Sequence, residues 1–571
     1  MKQIPNAKQK EAIKKDGNVL VNASPGSGKT FTLVQRAKVK LETLPKHQQL
    51  ALITYTNVAA DEIAFRLDVR KNVFIGTIHR FCLEFILKPF SWLYKWRQPK
   101  IITTELKKNF LQSIYELENI DIDQLDLVRK NLDGSFKIPI KWNYSIPFQN
   151  FASGYYDYLE QANLIDFNEI LFRSYKIANE HDFVRASLAN KFYEILVDEF
   201  QDTTSFQYEI FKLIFQVGKC SFFMVGDEKQ KILSFAGAME NVFENAKNDF
   251  NTDDIVVLNE VHRSTNNIVN AYSSLIYNHP ELDNTKSSCA SLDIKVIKKQ
   301  TTKDDKFDVL EKALNWLIAK GIKQDDIAIL SPRWRDSYEI GNNLLRKGFS
   351  LVGFGSLPHN KSLVSFYPLL NSLCCFYCQQ DIKSLRSLRR NVEAYLLENS
   401  IEASKKQINS LLNSLVYDFS AIDKDVNLVF GLNELKNIFD KNFGFEHTDF
   451  QNVIENLRIK SSATTQDWEK VYTDIWTLEK YISCFTNKNG IFNNTIHSTK
   501  GLEFDAVILF EINEGRIPWQ KSISRTTRIP FTPEEKEEGR KLLYVGLSRP
   551  KKHLIILHGY YKSIFIDAIQ V

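Results

Sequence analysis

The sequence predicts an α/β protein with two parallel β-sheets, each flanked by helices and each interrupted by a mainly helical insertion. Short apolar runs at residues 19–21, 50–54 and 73–75 alternate with helical patterns, which is typical of parallel strands joined by crossover helices. Two further apolar runs, at residues 195–197 and 221–226, end in acidic side chains. Together these runs predict the first sheet.

A second region of the same kind begins near residue 262. Its predicted strands are residues 294–297, 327–330, 506–510 and 553–557. Within each region, a long stretch with mainly helical periodicity separates the earlier strands from the later ones. We therefore expect one helical insertion in each region. The expected domains are a first lobe at residues 1–85 and 164–260 with an insertion at 86–163, and a second lobe at residues 261–357 and 489–571 with an insertion at 358–488.

The composition is that of an ordinary globular chain. Its 571 residues exceed what one core can organise, and the usual domain size predicts roughly three or four domains. No apolar run approaches the ~18–20 residues of a membrane-spanning helix, and the N-terminus lacks the apolar stretch of a signal peptide. We therefore expect no membrane segment and a cytoplasmic location. The net charge of +5 permits nucleic-acid binding without arguing for it.

Three of the seven cysteines, Cys374, Cys375 and Cys378, lie close together. They could form half of a zinc site, but no second Cys/His pair at ligand spacing accompanies them. They also lie inside an apolar helical pattern. Buried cysteines of a helix are the favoured interpretation.

The most informative segment is NVLVNASPGSGKT at residues 18–30, an apolar strand followed by a glycine turn and a helix that begins at Lys29. Such a turn directs several backbone N–H groups and the positive end of the helix dipole at one point, which suits a phosphate. Lys29 would reach the β- and γ-phosphates of a nucleotide, and the Thr30 hydroxyl would ligand Mg²⁺. A plain strand–helix turn is the alternative, and Ala23 stands where a glycine is usual.

Asp198 and Glu199 follow a buried strand in the string DEFQD, residues 198–202. Ligands of doubly wound folds lie at the carboxyl ends of strands, so both acids would lie beside the phosphate-binding turn. Asp198 would hold Mg²⁺ through water, and Glu199 would polarise the attacking water. Two surface acids at a strand end are the alternative.

With these two segments, the chain resembles the superfamily 1 helicases of the UvrD/Rep/PcrA type. The resemblance extends through most of its length, and the motifs occur in the same order. The matching segments are NAKQ (6–9), ITYTN (53–57), GTIH (76–79), LIDF (164–167), VGDEKQ (225–230), VHRST (261–265), NTIHSTKGLEF (494–504) and RKLLYVGLSR (540–549), besides the two segments above. The resemblance implies two RecA-like P-loop NTPase lobes and an ATP-dependent DNA helicase or DNA-stimulated ATPase, 3′-to-5′ in direction, with ATP and Mg²⁺ bound.

The resemblance also implies roles for individual residues. The catalytic set is Lys29, Glu199, the γ-phosphate sensor Gln230 and the arginine fingers Arg263 and Arg549. The nucleotide-binding set is Gln9, Ala23, Ser24, Pro25, Gly26, Ser27, Gly28, Lys29, Thr30, His262 and Glu503, with Thr30 and Asp198 as metal ligands. The DNA-binding set is Tyr55, Thr56, Asn57, Thr77, His79, Phe235 and His497.

The chain departs from the family pattern at several positions. Leu233 and Ala236 replace a usual tyrosine and arginine around Phe235, and His262 replaces an adenine-stacking tyrosine. The insertion at 358–488 is shorter than in full-sized repair helicases, which argues against processive strand separation.

A narrower resemblance, carried by FILKPF at residues 85–90, is to the helicase-like subunits of Gabija phage-defence systems. It implies an antiviral complex with an OLD-family ATPase-nuclease and a response to single-stranded or end-containing DNA. Two alternatives stay open: a stand-alone 3′-to-5′ repair helicase, and a nucleotide-gated binding subunit.

Overall fold

The protein folds as two units, seen in a computed structural model. The first unit comprises residues 1–23, 28–258 and 397–401, and the second comprises residues 24–27, 259–396 and 402–571. The described residues are 4–68, 71–94, 96, 99–102, 106–107, 110–112, 125, 127–138, 144, 146–232, 237–252, 254–275, 285–289, 296–359, 364, 366–399, 401, 403–462, 476–486, 490–519 and 530–570.

The first unit is built on a six-stranded sheet. The strands of this unit are β1 Val19–Ala23, β2 Gln49–Thr54, β3 Val73–Thr77, β4 Lys100–Ile101, β5 Arg129–Lys130, β6 Phe136–Lys137, β7 Leu164–Ile165, β8 Phe192–Val197, β9 Ser221–Gly226 and β10 Ile255–Leu258. The large sheet has the order β10-β1-β9-β8-β2-β3, and all its pairs are parallel. Every carboxyl end therefore points to the same edge.

Helices cover both faces of this sheet. The helices of the unit are α1 Ala7–Lys14, α2 Lys29–Glu42, α3 Asn57–Leu67, α4 Ile78–Cys82, α5 Lys88–Phe90, α6 Phe148–Gln161, α7 Phe167–Glu180, α8 Asp182–Lys191, α9 Ser205–Phe215 and α10 Val242–Asp249, of which α6 packs away from the sheet. Neighbouring strand residues separate into two cores: Val19 and Val21 pack with Leu33, whereas Leu20 packs in the cluster on the other face. This alternation follows from the two-residue period of a strand, and it explains why the strands read as continuous apolar runs.

Short strands accompany the helix of the first insertion. β4 pairs with β7 in parallel, and β5 and β6 form an antiparallel hairpin. Helix α6 packs on Phe110 and Leu164 in a separate small core.

The second unit repeats the architecture. Its strands are β11 Glu260–Val261, β12 Lys286–Ser287, β13 Val296–Gln300, β14 Ile327–Ser331, β15 Leu351–Val352, β16 Ile491–Thr495, β17 Phe504–Leu509 and β18 Pro550–His558. Six of them form a parallel sheet in the order β13-β18-β17-β14-β16-β15. The α/β fold class with two parallel sheets and flanking helices is thus confirmed.

The helices of the second unit include a bundle between β15 and β16. They are α11 Asn266–Ser273, α12 Lys306–Ala319, α13 Trp334–Arg346, α14 Tyr367–Gln379, α15 Ile382–Glu398, α16 Lys405–Ala421, α17 Leu428–Phe443, α18 Asp449–Ser462, α19 Leu478–Ser483 and α20 Pro533–Leu547. Cys374, Cys375 and Cys378 lie on α14, but only Cys374 is buried, because the other two face the partly exposed side of the helix. The prediction that all three are buried is wrong for these two.

Two negative findings concern the part of the chain that the structure describes. It contains no helix with the length and apolar character needed to cross a bilayer. It also contains no group of three or more His, Cys, Asp or Glu side chains arranged to hold a metal ion.

Candidate active site and nucleic-acid surface

The turn between β1 and α2 has the backbone shape of a phosphate-binding loop. Gly26 and Gly28 have φ angles of 76° and 88°, and Gly28 is the residue that precedes the first turn of α2. A Cβ atom on Gly28 would lie 2.7 Å from the Gln9 amide nitrogen. The left-handed backbone therefore favours glycine there, and any side chain would displace the Gln9 amide.

Gln9 lies against this loop because α1 is fixed at both ends. Its amide oxygen accepts a hydrogen bond from the Asn6 backbone N–H at 3.0 Å, and the Asn6 side chain accepts one from the Gln9 N–H at 2.8 Å. This reciprocal cap holds the start of the helix. At the other end the Arg36 guanidinium donates to the carbonyls of Ala12 and Lys15, both at 2.8 Å.

Arg36 itself is completely buried and pairs with the equally buried Glu194 of β8. Its Nε lies 3.1 Å from both carboxylate oxygens. The pair therefore joins α2 to β8 and, through the carbonyls of Ala12 and Lys15, to the C-terminal end of α1.

Thr30 and Asp198 form a pair of oxygen donors at the start of α2. The Thr30 hydroxyl donates to Asp198 Oδ2 at 3.3 Å. Burial and, to a lesser extent, the Glu199 charge raise the pKa of Asp198 to about 7, against the opposing effect of Lys29. One hydroxyl and one carboxylate fit Mg²⁺, which prefers oxygen ligands and takes few from the protein when a nucleotide's phosphates and water supply the rest.

Glu199 is held in an unusual backbone conformation directly after β8. Its φ angle is 53°, in the left-handed region. The Gln201 side chain donates to Glu199 Oε2 at 2.5 Å and accepts from the Asp227 N–H at 2.9 Å. Gln201 is fully buried, so it fixes the Glu199 carboxylate relative to the end of β9.

Gln230 belongs to the same network. The chain turns after β9 in a short 3₁₀ segment, Glu228–Gln230, capped by the Asp227 side chain. Asp227 Oδ2 accepts from the Gln230 amide at 2.7 Å, and Lys229 Nζ lies 3.1 Å from Asp227 Oδ1. Asp227 therefore orients Gln230 and, through Gln201, is linked to Glu199.

In the second unit, Arg263 lies beside the part of the loop that belongs to this unit, residues 24–27. The Cβ atom of Arg263 would be only 2.6 Å from a Cβ on Gly26, and the His262 N–H donates to the Gly26 carbonyl at 2.9 Å. Arg263 Nε also pairs with Glu503 Oε2 at 2.6 Å, and Lys551 Nζ lies 3.0 Å from the other oxygen of Glu503. Burial alone would raise the pKa of Glu503, but these two cations bring it below its usual value.

Arg549 is buried at the end of α20. Its guanidinium donates to the Val545 carbonyl at 3.0 Å, the Leu502 carbonyl at 3.2 Å and the Ser548 hydroxyl at 2.9 Å. Leu502 is the neighbour of Glu503, so Arg549 and the Arg263 ion pair are anchored to the same segment. The resemblance assigned both arginines to the γ-phosphate; in this structure each has partners within its own unit.

The residues expected to bind DNA in the first unit follow β2 and β3 at the carboxyl edge of the sheet. Tyr55 is 43% exposed, Thr56 caps α3, and Thr77 caps α4. Asn57 begins α3 with an exposed side chain. The His79 ring is packed edge-on against Phe167 at 5.2 Å, and burial lowers its pKa to about 4.

One cavity of about 280 Å³ brings several of these residues together. Tyr55, His79 and Phe167 line it with Asp198 and Glu199. The aromatic surface and the candidate catalytic carboxylate of Glu199 thus line the same cavity.

Two other DNA-binding candidates lie elsewhere. His497 is exposed on the 3₁₀ turn Ile496–Thr499 after β16 of the second unit. Phe235, with its neighbours 233 and 236, lies outside the described residues.

Sequence reasoning missed two residues of this site. Phe167 is 59% exposed although it is a large apolar side chain, and it lines the cavity. It lies in the matching segment LIDF, but the resemblance gives it no role of its own. Gln201 was read only as part of the string DEFQD, and its contact with the Asp227 N–H has no local sequence signal.

Two family models and several known proteins match this chain. The family model described as the UvrD/REP helicase N-terminal domain matches residues 5–251, and that of the UvrD-like helicase C-terminal domain matches residues 359–560. The chain is 26% identical over 640 aligned positions to the ATP-dependent DNA helicase Rep of Buchnera aphidicola subsp. Acyrthosiphon pisum, covering 98% of this chain and 95% of that protein. It is 26% identical over 621 positions to the ATP-dependent DNA helicase PcrA of Staphylococcus aureus strain Mu50, covering 98% and 84%. Both domain models of one family, in order and over most of the sequence, show that the chain belongs to the UvrD/Rep family of superfamily 1 helicases.

Proposed function

We propose that this chain is an ATP-dependent DNA helicase whose hydrolysis of ATP is stimulated by single-stranded DNA. One observation carries the proposal: Asp198 and Glu199, beside Lys29 and Thr30, share a cavity with the aromatic surface formed by Tyr55, His79 and Phe167. A strand bound on that surface touches the wall that holds the general base. A bound strand can therefore affect the position of this base directly. The name and coverage of the relatives support the same activity.

The chain's own residues have separate tasks in hydrolysis. The loop N–H groups and Lys29 bind the phosphates, and Gln9 reads the base. Glu199, oriented by Gln201, accepts a proton from the attacking water, while Gln230 contacts the γ-phosphate. Thr30 and Asp198 would hold Mg²⁺, which neutralises phosphate charge when bound.

Arg263 and Arg549 supply positive charge to the γ-phosphoryl oxygens in the transition state. To contact the phosphate, each arginine must first break an interaction that it makes in this structure. Arg263 must break its ion pair with Glu503, and Arg549 must break its hydrogen bonds to the Val545 and Leu502 carbonyls. The Glu503 ion pair thus holds Arg263 in place until a nucleotide competes for it.

Steady-state ATP hydrolysis with and without single-stranded DNA tests the proposal. We expect Lys29→Ala and Glu199→Gln to abolish the DNA-stimulated rate in folded protein. Lys38→Ala is the matched control, since Lys38 lies on α2 away from its N-terminus. Wild-type turnover in folded Lys29→Ala would refute the assigned site.

The DNA half of the proposal has its own variants. Phe167→Ala and Tyr55→Ala each remove an aromatic face worth roughly 1–3 kcal/mol per stacked base. We expect a higher DNA concentration for half-maximal stimulation and an unchanged rate without DNA. Unchanged stimulation in both variants would place the strand elsewhere.

A narrower proposal is that the chain works with an OLD-family ATPase-nuclease in a phage-defence complex that responds to DNA ends. Besides the resemblance of residues 85–90, an exposed aromatic surface beside them supports a protein partner. Trp92 is 64% exposed, and Phe183, which contacts Phe90 at a ring distance of 5.9 Å, is 50% exposed. The near full-length match to Rep favours a stand-alone 3′-to-5′ helicase at least as well.

Three results separate the possible roles. Poor separation of long tailed duplexes by the chain alone, restored by the product of a neighbouring nuclease gene, supports the defence complex. Efficient separation by the chain alone supports the stand-alone helicase. A folded chain that binds ATP and DNA without turnover supports a nucleotide-gated binding subunit. The cytoplasmic location stays a prediction.

A further inference from the structure

A second cleft in the first unit lies outside every motif discussed above. It has a volume of about 390 Å³ and lies between the hairpin β5–β6 and the first residues of α7 and α9. Its walls include Arg129 and Lys137 from the hairpin, Asn168 from α7, and Ser205 from α9.

The charges lining this cleft are mainly positive. The hairpin contributes Arg129, Lys130 and Lys137, and the single acid among the described lining residues is Asp133. Asp133 accepts hydrogen bonds from the Ser135 N–H at 2.9 Å and the Ser135 hydroxyl at 2.6 Å, which fix it in the hairpin turn.

Lys130 has a structural role. Its ammonium group lies 2.9 Å from Glu169 and stands over the rings of Tyr156 and Phe172 at 4.0 and 4.4 Å. Glu169 also pairs with Arg173 at 2.8 Å, so Lys130 is part of a largely buried ion-pair network. Arg129 and Lys137 are the other two cations among the described residues that line the cleft.

The cleft adjoins the cavity that contains the aromatic DNA surface. Phe167 lines that cavity, and the next residue, Asn168, lines the cleft. Likewise, Thr203 lines the cavity and Thr204 lines the cleft. Consecutive Cα atoms are about 3.8 Å apart, so the linings of the two spaces lie close together at the start of α7 and just before α9.

Arg129 is also placed beside the segment that leads to Phe235. Its Nη1 would be 2.6 Å from a Cβ atom on Gly237, whose φ angle is 89°. The next residue, Ala238, forms a bridge with Thr204, and the Met239 N–H donates to the Thr203 carbonyl at 2.8 Å. The guanidinium therefore lies against the Gly237 backbone, where a side chain would compete with it for space.

We infer that this cleft is a phosphodiester subsite, in which Arg129 and Lys137 bind the backbone of the single strand just outside the base-contacting cavity. The inference rests on the proposed function, since it takes the strand to occupy that cavity. Phosphate contacts by Arg and Lys position a strand without reading its sequence. The subsite therefore adds affinity for any sequence long enough to reach it.

The test measures binding of deoxythymidine oligonucleotides by fluorescence anisotropy over a range of salt concentrations. Each lost phosphate contact lowers the slope of log affinity against log salt by about 0.7 for a single strand, which corresponds to about fivefold weaker binding at 0.1 M salt. We expect this loss in Arg129→Ala and in Lys137→Ala. Lys247→Ala is the matched control, because Lys247 is exposed on α10 of the same unit.

Two further arms define the site. Oligonucleotides of about 20 nucleotides should show the loss, and oligonucleotides of about 4 nucleotides, shorter than most single-strand binding sites, should not. Arg129→Lys should retain the wild-type salt slope, which excludes misfolding as the cause. Equal losses for both lengths would mean a general anion site or a folding defect and would overturn the inference.

The same inference fails if wild-type protein, Arg129→Ala and Lys137→Ala share one slope and one affinity for the long strand. Failure of the proposed function looks different. In that case wild-type protein itself shows no DNA-stimulated ATP hydrolysis.

Discussion

Gln201 is the residue whose replacement most sharply tests how the hydrolytic site is organised. Its side chain bridges the Glu199 carboxylate at 2.5 Å and the Asp227 N–H at 2.9 Å, with no exposed surface. The perturbation is Gln201→Met, which keeps the length of the side chain and removes both hydrogen bonds. If the contact positions the general base, the variant loses turnover and keeps its affinity for substrates.

The magnitude follows from the two bonds. A well-placed general base contributes about 10²–10⁴-fold to a rate, and the variant leaves Glu199 present but without its hydrogen bond from Gln201. We therefore expect kcat to fall by about 10–100-fold, equivalent to about 1.4–2.7 kcal/mol. The buried Asp227 N–H loses its acceptor, so the free energy of unfolding should fall by about 1–3 kcal/mol.

The assay is steady-state ATP hydrolysis at saturating single-stranded DNA, with urea unfolding measured in parallel. The KM for ATP and the DNA concentration for half-maximal stimulation should stay within about twofold of wild type, because Gln201 contacts neither the loop nor Tyr55. Gln207→Met is the matched control: Gln207 accepts from the Thr204 N–H at 3.2 Å and lines the cavity with Glu199. It should lose stability and keep kcat. A normal kcat in Gln201→Met, or an equal loss of kcat in both variants, would refute the positioning role.

The remaining predictions concern stability and the phosphate loop. Arg36→Met leaves Glu194 buried without its partner and should lower the free energy of unfolding by about 3–5 kcal/mol in urea titrations; a loss below about 1 kcal/mol would contradict the burial of this pair. Gly28→Ala should raise the KM for ATP at least about tenfold, because its Cβ would displace the Gln9 amide from the loop and strain a left-handed backbone. Gly17→Ala, at a φ of 75° with no atom within 4 Å of its Cβ, should cost only about 1–2 kcal/mol of stability. Burial lowers the pKa of His79 to about 4, so below about pH 6.5 the unfolded chain binds a proton at this ring and the folded chain does not. The free energy of unfolding should therefore fall by about 1 kcal/mol per pH unit as the pH drops from about 6.5 towards 4. His79→Gln should flatten this slope, and an unchanged slope would mean that the ring is not buried as described.

The parts of the fold that sequence patterns predicted are those set by local chemistry. The strand–turn–helix around Lys29 needs only an apolar run, glycines and a helical period, and the structure has β1 and α2 there. The strands with long apolar runs, such as the one before Asp198, were equally clear because both faces of a parallel sheet are covered.

The parts that were missed depend on contacts between distant segments. Arg36 and Glu194 are 158 positions apart, and nothing near either residue predicts that they pair in the core. The strand β10 is the exception, since its sequence, IVVL at residues 255–258, is as apolar as the predicted strands and yet was not predicted. Gln201 and Asp227 meet only because β8 and β9 are adjacent strands.

The partial exposure of Cys375 and Cys378 could not be predicted from the sequence either. A helical pattern shows that residues share a helix, but the side of α14 that faces neighbouring helices is fixed by packing within the insertion. The assignment of individual site residues, in contrast, stays a prediction that variants must test.

The measurement that tests the central claim most directly is single-turnover displacement of a strand from a short duplex with a 3′ single-stranded tail. We expect wild-type protein to displace the strand only when ATP and Mg²⁺ are present, and folded Lys29→Ala to displace none, while Lys38→Ala behaves as wild type. Displacement by Lys29→Ala at the wild-type rate, or displacement by wild type without ATP, would contradict the claim that hydrolysis at this loop drives movement along DNA.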